Sequence, residues 1–408
     1  MSTARRITLF RRVRLFAPEP LGEVDILASE RILAVGNLSG LRGLPGVAVE
    51  SLRDTLVTPG FVDAHVHVAG GGGEGGFGFR TLPLTPDALL AAGITTAVGL
   101  LGTDAVTRSA LGLLAEVRRL AASGISSYML SGAYWVPTRT VTDSLRADLV
   151  VVPEVLGAGE IAVSDPRGAD PLPESLALLA REVYVGALLA GKQGILHLHL
   201  GDEESGLEPV FEAWRRSRLP IRLFHPTHVN RRPALLPQAI AFARQGGTVD
   251  LTAGIFPTDH DPTPVDPAEA FSLLLAEGIP LERITVSSDS GGSSPTFGAE
   301  GQLLGSHALS PRVLLDAFRR LAQHHPLEVA LRPFTQTPSN LLGLGDVGSV
   351  RQGALAHLLV FDDNLELRRT YVRGVLAAEG GGRSGVPGSP EGLPSEASRG
   401  EGAPPRPQ

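Results

Sequence analysis

The sequence predicts a closed (β/α)8 TIM barrel carrying a small β-sandwich-like domain built from both ends of the chain. Three observations predict it. From Val57 onward, short apolar runs alternate with longer helical stretches, the pattern of βα units. Eight such runs occur, the strand number of a TIM barrel. Before this region, and again after about residue 345, the chain carries short strand-like runs punctuated by Gly and Pro.

In order, residues 5–57 hold strand-like runs at 7–10, 24–27, 31–35 and 47–50. The expected barrel strands are 61–67, 94–100, 126–132, 160–164, 195–200, 221–228, 248–252 and 284–289. Helical patterns lie between them, as at 110–122, 233–244 and 267–277, and a last helix is expected at 311–323. Runs at 355–361, 369–372 and 374–377 return to strands. The expected organisation is therefore a barrel over 58–344 and a composite β domain from 1–57 with 345–378. Residues 379–408 are Gly, Pro, Ser and Glu without periodicity, too polar to order themselves, and are expected to be a disordered tail.

Composition fits a globular enzyme. A chain of 408 residues can bury a large core. A net charge of −7 leaves no footprint for nucleic acid or an anionic membrane. No apolar run reaches the roughly 18 residues of a membrane span. The N-terminus has charges every few residues and no signal-peptide core, so a cytoplasmic location is expected. There is no cysteine, so any metal ligand must be His, Asp, Glu or a modified Lys. Lys192 is the sole lysine, in keeping with a bias toward arginine codons.

The chemistry-bearing residues recur at strand ends. His65 and His67 close the first barrel strand in Pro59-Gly-Phe-Val-Asp-Ala-His65-Val-His67. Two residues apart on a strand, they face the same way and can share a divalent ion. Glu160 belongs to strand four, His199 ends strand five, His228 strand six and Asp289 strand eight. A TIM barrel gathers such positions at its C-terminal rim, and six ligand-type residues fit two metals sharing a carboxylate. Read alone, Glu74 is either functional or a solvated loop charge after the Gly70 to Gly73 run, which is itself a lid or a turn. Arg167 and Arg231 are either site residues or surface ion-pair partners, and Tyr134 is either a site or a core tyrosine. His197 is expected one layer deeper than His199, as a core or supporting residue. His225, His260, His307, His324, His325 and His357 are not expected to be ligands. The Pro- and Asp-rich loop 256–264 is a candidate cover for the site mouth.

These motifs resemble the amidohydrolase superfamily and, within it, the isoaspartyl (β-aspartyl) dipeptidases. The segments carrying the closer resemblance are His67-Val-Ala-Gly-Gly-Gly-Gly-Glu74, Gly99-Leu-Leu-Gly-Thr103-Asp, Gly132-Ala-Tyr134, Ser164-Asp-Pro-Arg167, His199-Leu-Gly-Asp, Pro226-Thr-His228-Val-Asn-Arg231 and Ser287-Ser-Asp289-Ser-Gly-Gly-Ser293. The resemblance implies hydrolysis of β-aspartyl dipeptides by a hydroxide bridging two metals, zinc or alternatively manganese or cobalt. It implies His65, His67 and Asp289 on one metal and His199 and His228 on the other. Asp289 would be general base and then acid, and Tyr134 would donate to the scissile carbonyl. Glu74 would hold the α-ammonium, Arg167, Arg231 and Ser293 the carboxylates, with Gly72 and Thr103 also lining the substrate site. A homo-oligomer is implied too. The chain departs from the family at Glu160, where a carboxylated lysine usually bridges the metals. A glutamate keeps the charge but places its carboxyl carbon nearer the backbone. The strand must then bulge inward, which Gly157 and Gly159 permit. A single-metal site is the alternative. Two other functions compete: a cyclic-amide hydrolase of the dihydroorotase or hydantoinase kind, and a catalytically dead scaffold.

Overall fold

The computed structural model describes residues 6–258, 261–297, 303–380 and 383–384. The N-terminal strands are β1 (Ile7–Phe16), β2 (Pro20–Ala28), β3 (Ile32–Gly36), β4 (Val47–Ser51) and β5 (Leu56–Pro59). The barrel strands follow as β6 (Phe61–Val66), β7 (Ile94–Gly99), β8 (Ser126–Ser131), β9 (Val155–Val163), β10 (Ile195–Leu200), β11 (Phe224–Thr227), β12 (Val249–Thr252) and β13 (Ile284–Ser287). A hairpin, β14 (Ser293–Phe297) and β15 (Leu303–Ala308), comes next, and β16 (Leu358–Phe361), β17 (Leu367–Val372), β18 (Val375–Glu379) and β19 (Arg383–Ser384) end the described chain.

Strands β6 to β11 pair in parallel and in sequence order, and β12 pairs with β13. The ring closes through backbone hydrogen bonds. Val229 N–H donates to Asp250 O, Asp289 N–H to His65 O and His67 N–H to Ser290 O. Helices such as α1 (Pro86–Ala91), α2 (Ala110–Ala122), α3 (Leu145–Val151) and α4 (Pro173–Ala190) return the chain between strands. Their starts carry the expected signals: Thr85, Ser109 and Ser144 cap the first three through side-chain oxygens, and Pro173 opens the fourth. Buried leucines and valines of these helices pack on barrel strands in one continuous apolar cluster. That is why the strands read as unbroken apolar runs rather than alternating ones.

The two chain ends meet in one sheet. β5 pairs in parallel with β1 and antiparallel with β16, so it joins N- and C-terminal strands just before the barrel begins. Phe10, Val13, Leu15, Ile26, Val57, Leu358, Val360 and Tyr371 form its separate apolar core.

The structure corrects several boundaries. Strand β9 begins at Val155 rather than at 160, so Glu160 lies well inside it. Residues 221–223 are a 3-10 turn, leaving only Phe224–Thr227 as strand. The β14–β15 hairpin was not expected. Glu379 ends β18, and the pair 383–384 adds to it, so the expected tail does not start at 379. Residues 385–408, and 259–260 of the candidate cover loop, lie outside the described residues. The lone Lys192 is structural: its Nζ donates to the carbonyls of Leu149, Val152 and Val155 at the end of α3.

Candidate metal centre

Strand ends bring the candidate ligands to one place. His65 lies in β6 and His67 just beyond it, Glu160 in β9 and His199 in β10, while His228 follows β11 and Asp289 follows β13. The backbone is left-handed at His228 (φ 63°) and at Asp289 (φ 57°). Such a conformation costs a non-glycine residue on the order of 1–3 kcal/mol and persists only where surrounding contacts impose it.

Glu160 reaches the others through a β-bulge. Ala158 pairs with Leu196 and Ile161 with Leu198, so Gly159 and Glu160 together oppose His197 alone. The Gly159–Glu160 peptide is cis. Gly159 has φ 147°, and a Cβ on it would lie 2.7 Å from the His197 carbonyl oxygen. Only glycine fits there.

The Glu160 carboxylate stands between two pairs of histidines. Its Oε1 is 3.4 Å from His67 Nε2, and its Oε2 is 3.5 Å from His65 Nε2. The same Oε2 is 3.1 Å from His199 Nδ1 and 3.7 Å from His228 Nε2. Asp289 Oδ1 closes the first side, 3.3 Å from His65 Nε2 and 3.1 Å from His67 Nε2. Three triplets have all their ligand atoms within 4.8 Å of one another: His65–His67–Glu160, His65–His228–Asp289 and Glu160–His199–His228. His65 Nε2 is sealed from solvent yet makes no hydrogen bond among the described residues. A buried nitrogen so placed, between carboxylates and imidazoles, fits a divalent cation. Two glycines keep the space open: a Cβ on Gly102 would lie 3.0 Å from His67 Cε1, and one on Gly292 2.7 Å from Asp289 Oδ1.

The electrostatics follow from dense burial. Burial by itself would raise the Glu160 carboxyl, but His65 and His199 hold it well below the usual range. Asp289 is likewise pulled down against its burial by His65 and His67. Burial opposes a charge on His65, and the two carboxylates outweigh it, to about 9. Burial pushes His228 down to about 3, and His199 beside it adds to the effect. Tyr134 is driven well above the phenol range, first by burial and then by Glu160, so it keeps its proton and can donate it.

A second group of side chains sits beside the centre. Glu74 accepts from Thr103 Oγ1 at 3.1 Å and from Ser293 Oγ at 3.3 Å. Arg167 Nη1 is 3.8 Å from Glu74 Oε1. Ser293, expected beside a substrate carboxylate, thus donates to Glu74 here. Tyr134 OH lies 2.9 Å from His199 Nδ1. Arg231 Nη1 is 3.5 Å from Asp202, and its buried Nε has no hydrogen-bond partner among the described residues. At Gly72 (φ 70°) a Cβ would lie 2.7 Å from the Phe79 carbonyl oxygen.

Sequence reasoning missed Asp165. It accepts from Arg167 Nε at 3.0 Å and Nη2 at 2.7 Å, and lies 2.9 Å from His199 Nε2. It joins a histidine of the candidate metal cluster to Arg167. An aspartate before proline reads as a turn residue, so its only signal was its place in Ser164-Asp-Pro-Arg167.

Known proteins share this architecture. A β-aspartyl dipeptidase from the thermophilic Fervidobacterium islandicum AW-1, solved in complex with β-Asp-Leu dipeptide, superposes with a TM-score of 0.84 and is 31% identical, over 93% of this chain and 98% of that one. The chain belongs to the β-aspartyl dipeptidase family of the amidohydrolase superfamily. Imidazolonepropionase of Ruegeria sp. (strain TM1040) is 26% identical over 345 residues, 76% of this chain and 79% of the relative. A D-hydantoinase from Thermus sp. is 15% identical with a TM-score of 0.64, over 91% of this chain and 95% of that one, and shares the fold. No protein-family model matches the chain. This amidohydrolase is therefore a (β/α)8-barrel hydrolase of a metal-dependent superfamily. No helix among its described residues is long and apolar enough to cross a membrane.

Proposed function

We propose that the protein is a binuclear zinc dipeptidase that hydrolyses the isopeptide bond of β-aspartyl dipeptides. The observation that carries this reading is the Glu74–Arg167 pair beside the Glu160-centred cluster. A β-aspartyl dipeptide is a small zwitterion with an additional carboxylate. An acid for its ammonium and arginines for its carboxylates are what it requires. Glu74, oriented by Thr103, takes the α-ammonium. Arg167 and Arg231 take the carboxylates, with Ser293 and the close-approaching backbone at Gly72 completing the pocket.

His65, His67 and Asp289 would hold one ion, His199 and His228 the other, with Glu160 shared between them in place of a carboxylated lysine. When bound, the ions acidify a water to near neutral pH and polarise the scissile carbonyl. Asp289 takes the proton of the attacking water and delivers it to the leaving amine. Tyr134 donates to the carbonyl oxygen as charge develops there. The Glu160–His199 contact at 3.1 Å and the Asp165–His199 contact at 2.9 Å support a fixed ring at that position.

The test is the initial rate on β-Asp-Leu with and without zinc, with α-Asp-Leu as control. Fast, zinc-dependent cleavage of the β isomer alone is expected. Cleavage of neither, with turnover of a cyclic amide instead, would overturn the proposal. Glu74→Gln separates the two readings, because a cyclic amide has no free α-ammonium for Glu74 to bind.

A further inference from the structure

Beneath the candidate metal centre, a file of fully buried polar side chains crosses the barrel interior. His65 Nδ1 lies 2.9 Å from His197 Nε2, and His197 Nδ1 lies 2.9 Å from His225 Nδ1. His225 Nε2 lies 3.1 Å from Thr285 Oγ1, which donates to Asp250 Oδ1 at 2.6 Å. Asp250 also accepts from Thr227 Oγ1 at 2.7 Å and Ser287 Oγ at 2.5 Å. Histidines 65, 197 and 225, Thr285 and Asp250 all have 0% exposure.

The direction of this file follows from its far end. The hydroxyl of Thr285 has two neighbours that only accept, the Asp250 carboxylate at 2.6 Å and the Val249 carbonyl at 3.4 Å, so its single proton points away from His225, toward the nearer Asp250. The Thr285 oxygen must then accept from His225, which places that ring's proton on Nε2. His225 Nδ1 is left as an acceptor, and the 2.9 Å gap to His197 Nδ1 holds one proton, which belongs to His197. His197 Nε2 in turn accepts from His65 Nδ1–H. The last consequence is that a cation replacing the proton favoured by Glu160 and Asp289 meets the lone pair of His65 Nε2, because Nδ1 keeps its own proton. His65 Nε2 is buried and makes no hydrogen bond among the described residues.

We propose that Asp250, Thr285, His225 and His197 are positioning residues. Together they form a directional hydrogen-bond relay that fixes His65 as the Nδ1–H tautomer and so raises the affinity of the metal position His65 serves. The inference rests on the metal-binding reading of His65 but not on any substrate. A ring whose distal N–H is already committed offers its other nitrogen without a tautomeric cost, and loss of such a partner typically weakens metal binding about 10- to 100-fold.

The experiment measures zinc affinity of the purified, substrate-free protein by competition with a chromophoric chelator. Thr285→Val, which keeps shape but removes the hydroxyl, is expected to weaken one of the two zinc ions about tenfold or more, and Thr285→Ser to restore it. Should Thr285→Val fail to fold, His197→Leu against His197→Gln makes the same comparison, because Gln still offers an acceptor to His65. Long-range ¹H–¹⁵N spectra of the zinc-loaded protein are expected to show His197 protonated at Nδ1 and His225 at Nε2. A Thr285→Val protein that loses thermal stability yet binds zinc like the parent, or a His197 protonated at Nε2, overturns the relay. A parent protein that binds no zinc overturns instead the metal reading beneath it.

Discussion

The barrel's C-terminal rim and the core of the sheet formed by the chain ends are both buried but are built from opposite materials. The sheet encloses Phe10, Leu15, Ile26, Val57 and Leu358, and the hydroxyl of its one large polar member, Tyr371, reaches outward to Glu50. The rim encloses His65, Glu160, His199 and His228, each no more than 2% exposed. Apolar burial is favourable on its own, at roughly 25 cal/mol per Å². Burial of polar groups is unfavourable unless every group finds a partner. The sheet can therefore stabilise the fold, whereas the rim depends on its polar groups being paired.

This contrast can be broken in order of expected effect. Asp289→Asn is expected to lower kcat about 10²- to 10⁴-fold, as for loss of a general base, with circular dichroism unchanged. A comparable loss of stability in that variant would erase the distinction. Phe10→Ala is expected to do the reverse, costing about 3–5 kcal/mol in denaturant unfolding while zinc stoichiometry stays the same.

His357 tests the seam between the sheet and the end of the barrel opposite the rim. It is buried, and its Nε2 lies 2.9 Å from Ser126 Oγ of β8. Burial pushes it down to about 3, with Arg373 adding to the effect. The unfolded chain, with an ordinary histidine near 6.5, binds the proton first. Stability is thus fully present above pH 6.5 and is lost as pH falls toward 3, by about 3 kcal/mol at pH 4 for this group. His357→Gln is expected to flatten that acid slope, measured as the unfolding midpoint against pH. An unchanged slope would mean that other groups set it.

The smallest effect expected is at Gly159→Ala. A left-handed alanine against the His197 carbonyl costs about 1–3 kcal/mol and shifts Glu160, so stability and zinc affinity should fall together. Stability falling alone would show that the bulge does not serve Glu160.

Legibility in the sequence followed the range of the interactions. The eight barrel strands could be read because each is a local apolar run between turns, although β9 was placed five residues late. Its early part, Val155-Leu-Gly-Ala-Gly, carries two glycines that interrupt the pattern. The β14–β15 hairpin was missed for a similar reason, its strands being rich in Gly, Ser and Pro. Asp165 was passed over, and His225 was read only as a non-ligand, because what connects them, contact with His199 and with His197, involves other strands.

What the sequence by itself determined is what period-two and period-3.6 patterns encode. It told that a parallel barrel forms and that His65 and His67 share a face; the reading of Glu160 in place of a carboxylated lysine came from the family resemblance, not from periodicity. Tertiary structure alone decided register. The pairing of His197 with His225 across β10 and β11 sets two rings side by side, and the bulge opposite His197 carries Glu160 between the histidine pairs. Gly157 and Gly159 already allowed for a bulge, but its place opposite His197 and the pairing of the two rings arise only when strands distant in sequence are held about 5 Å apart by their shared hydrogen bonds.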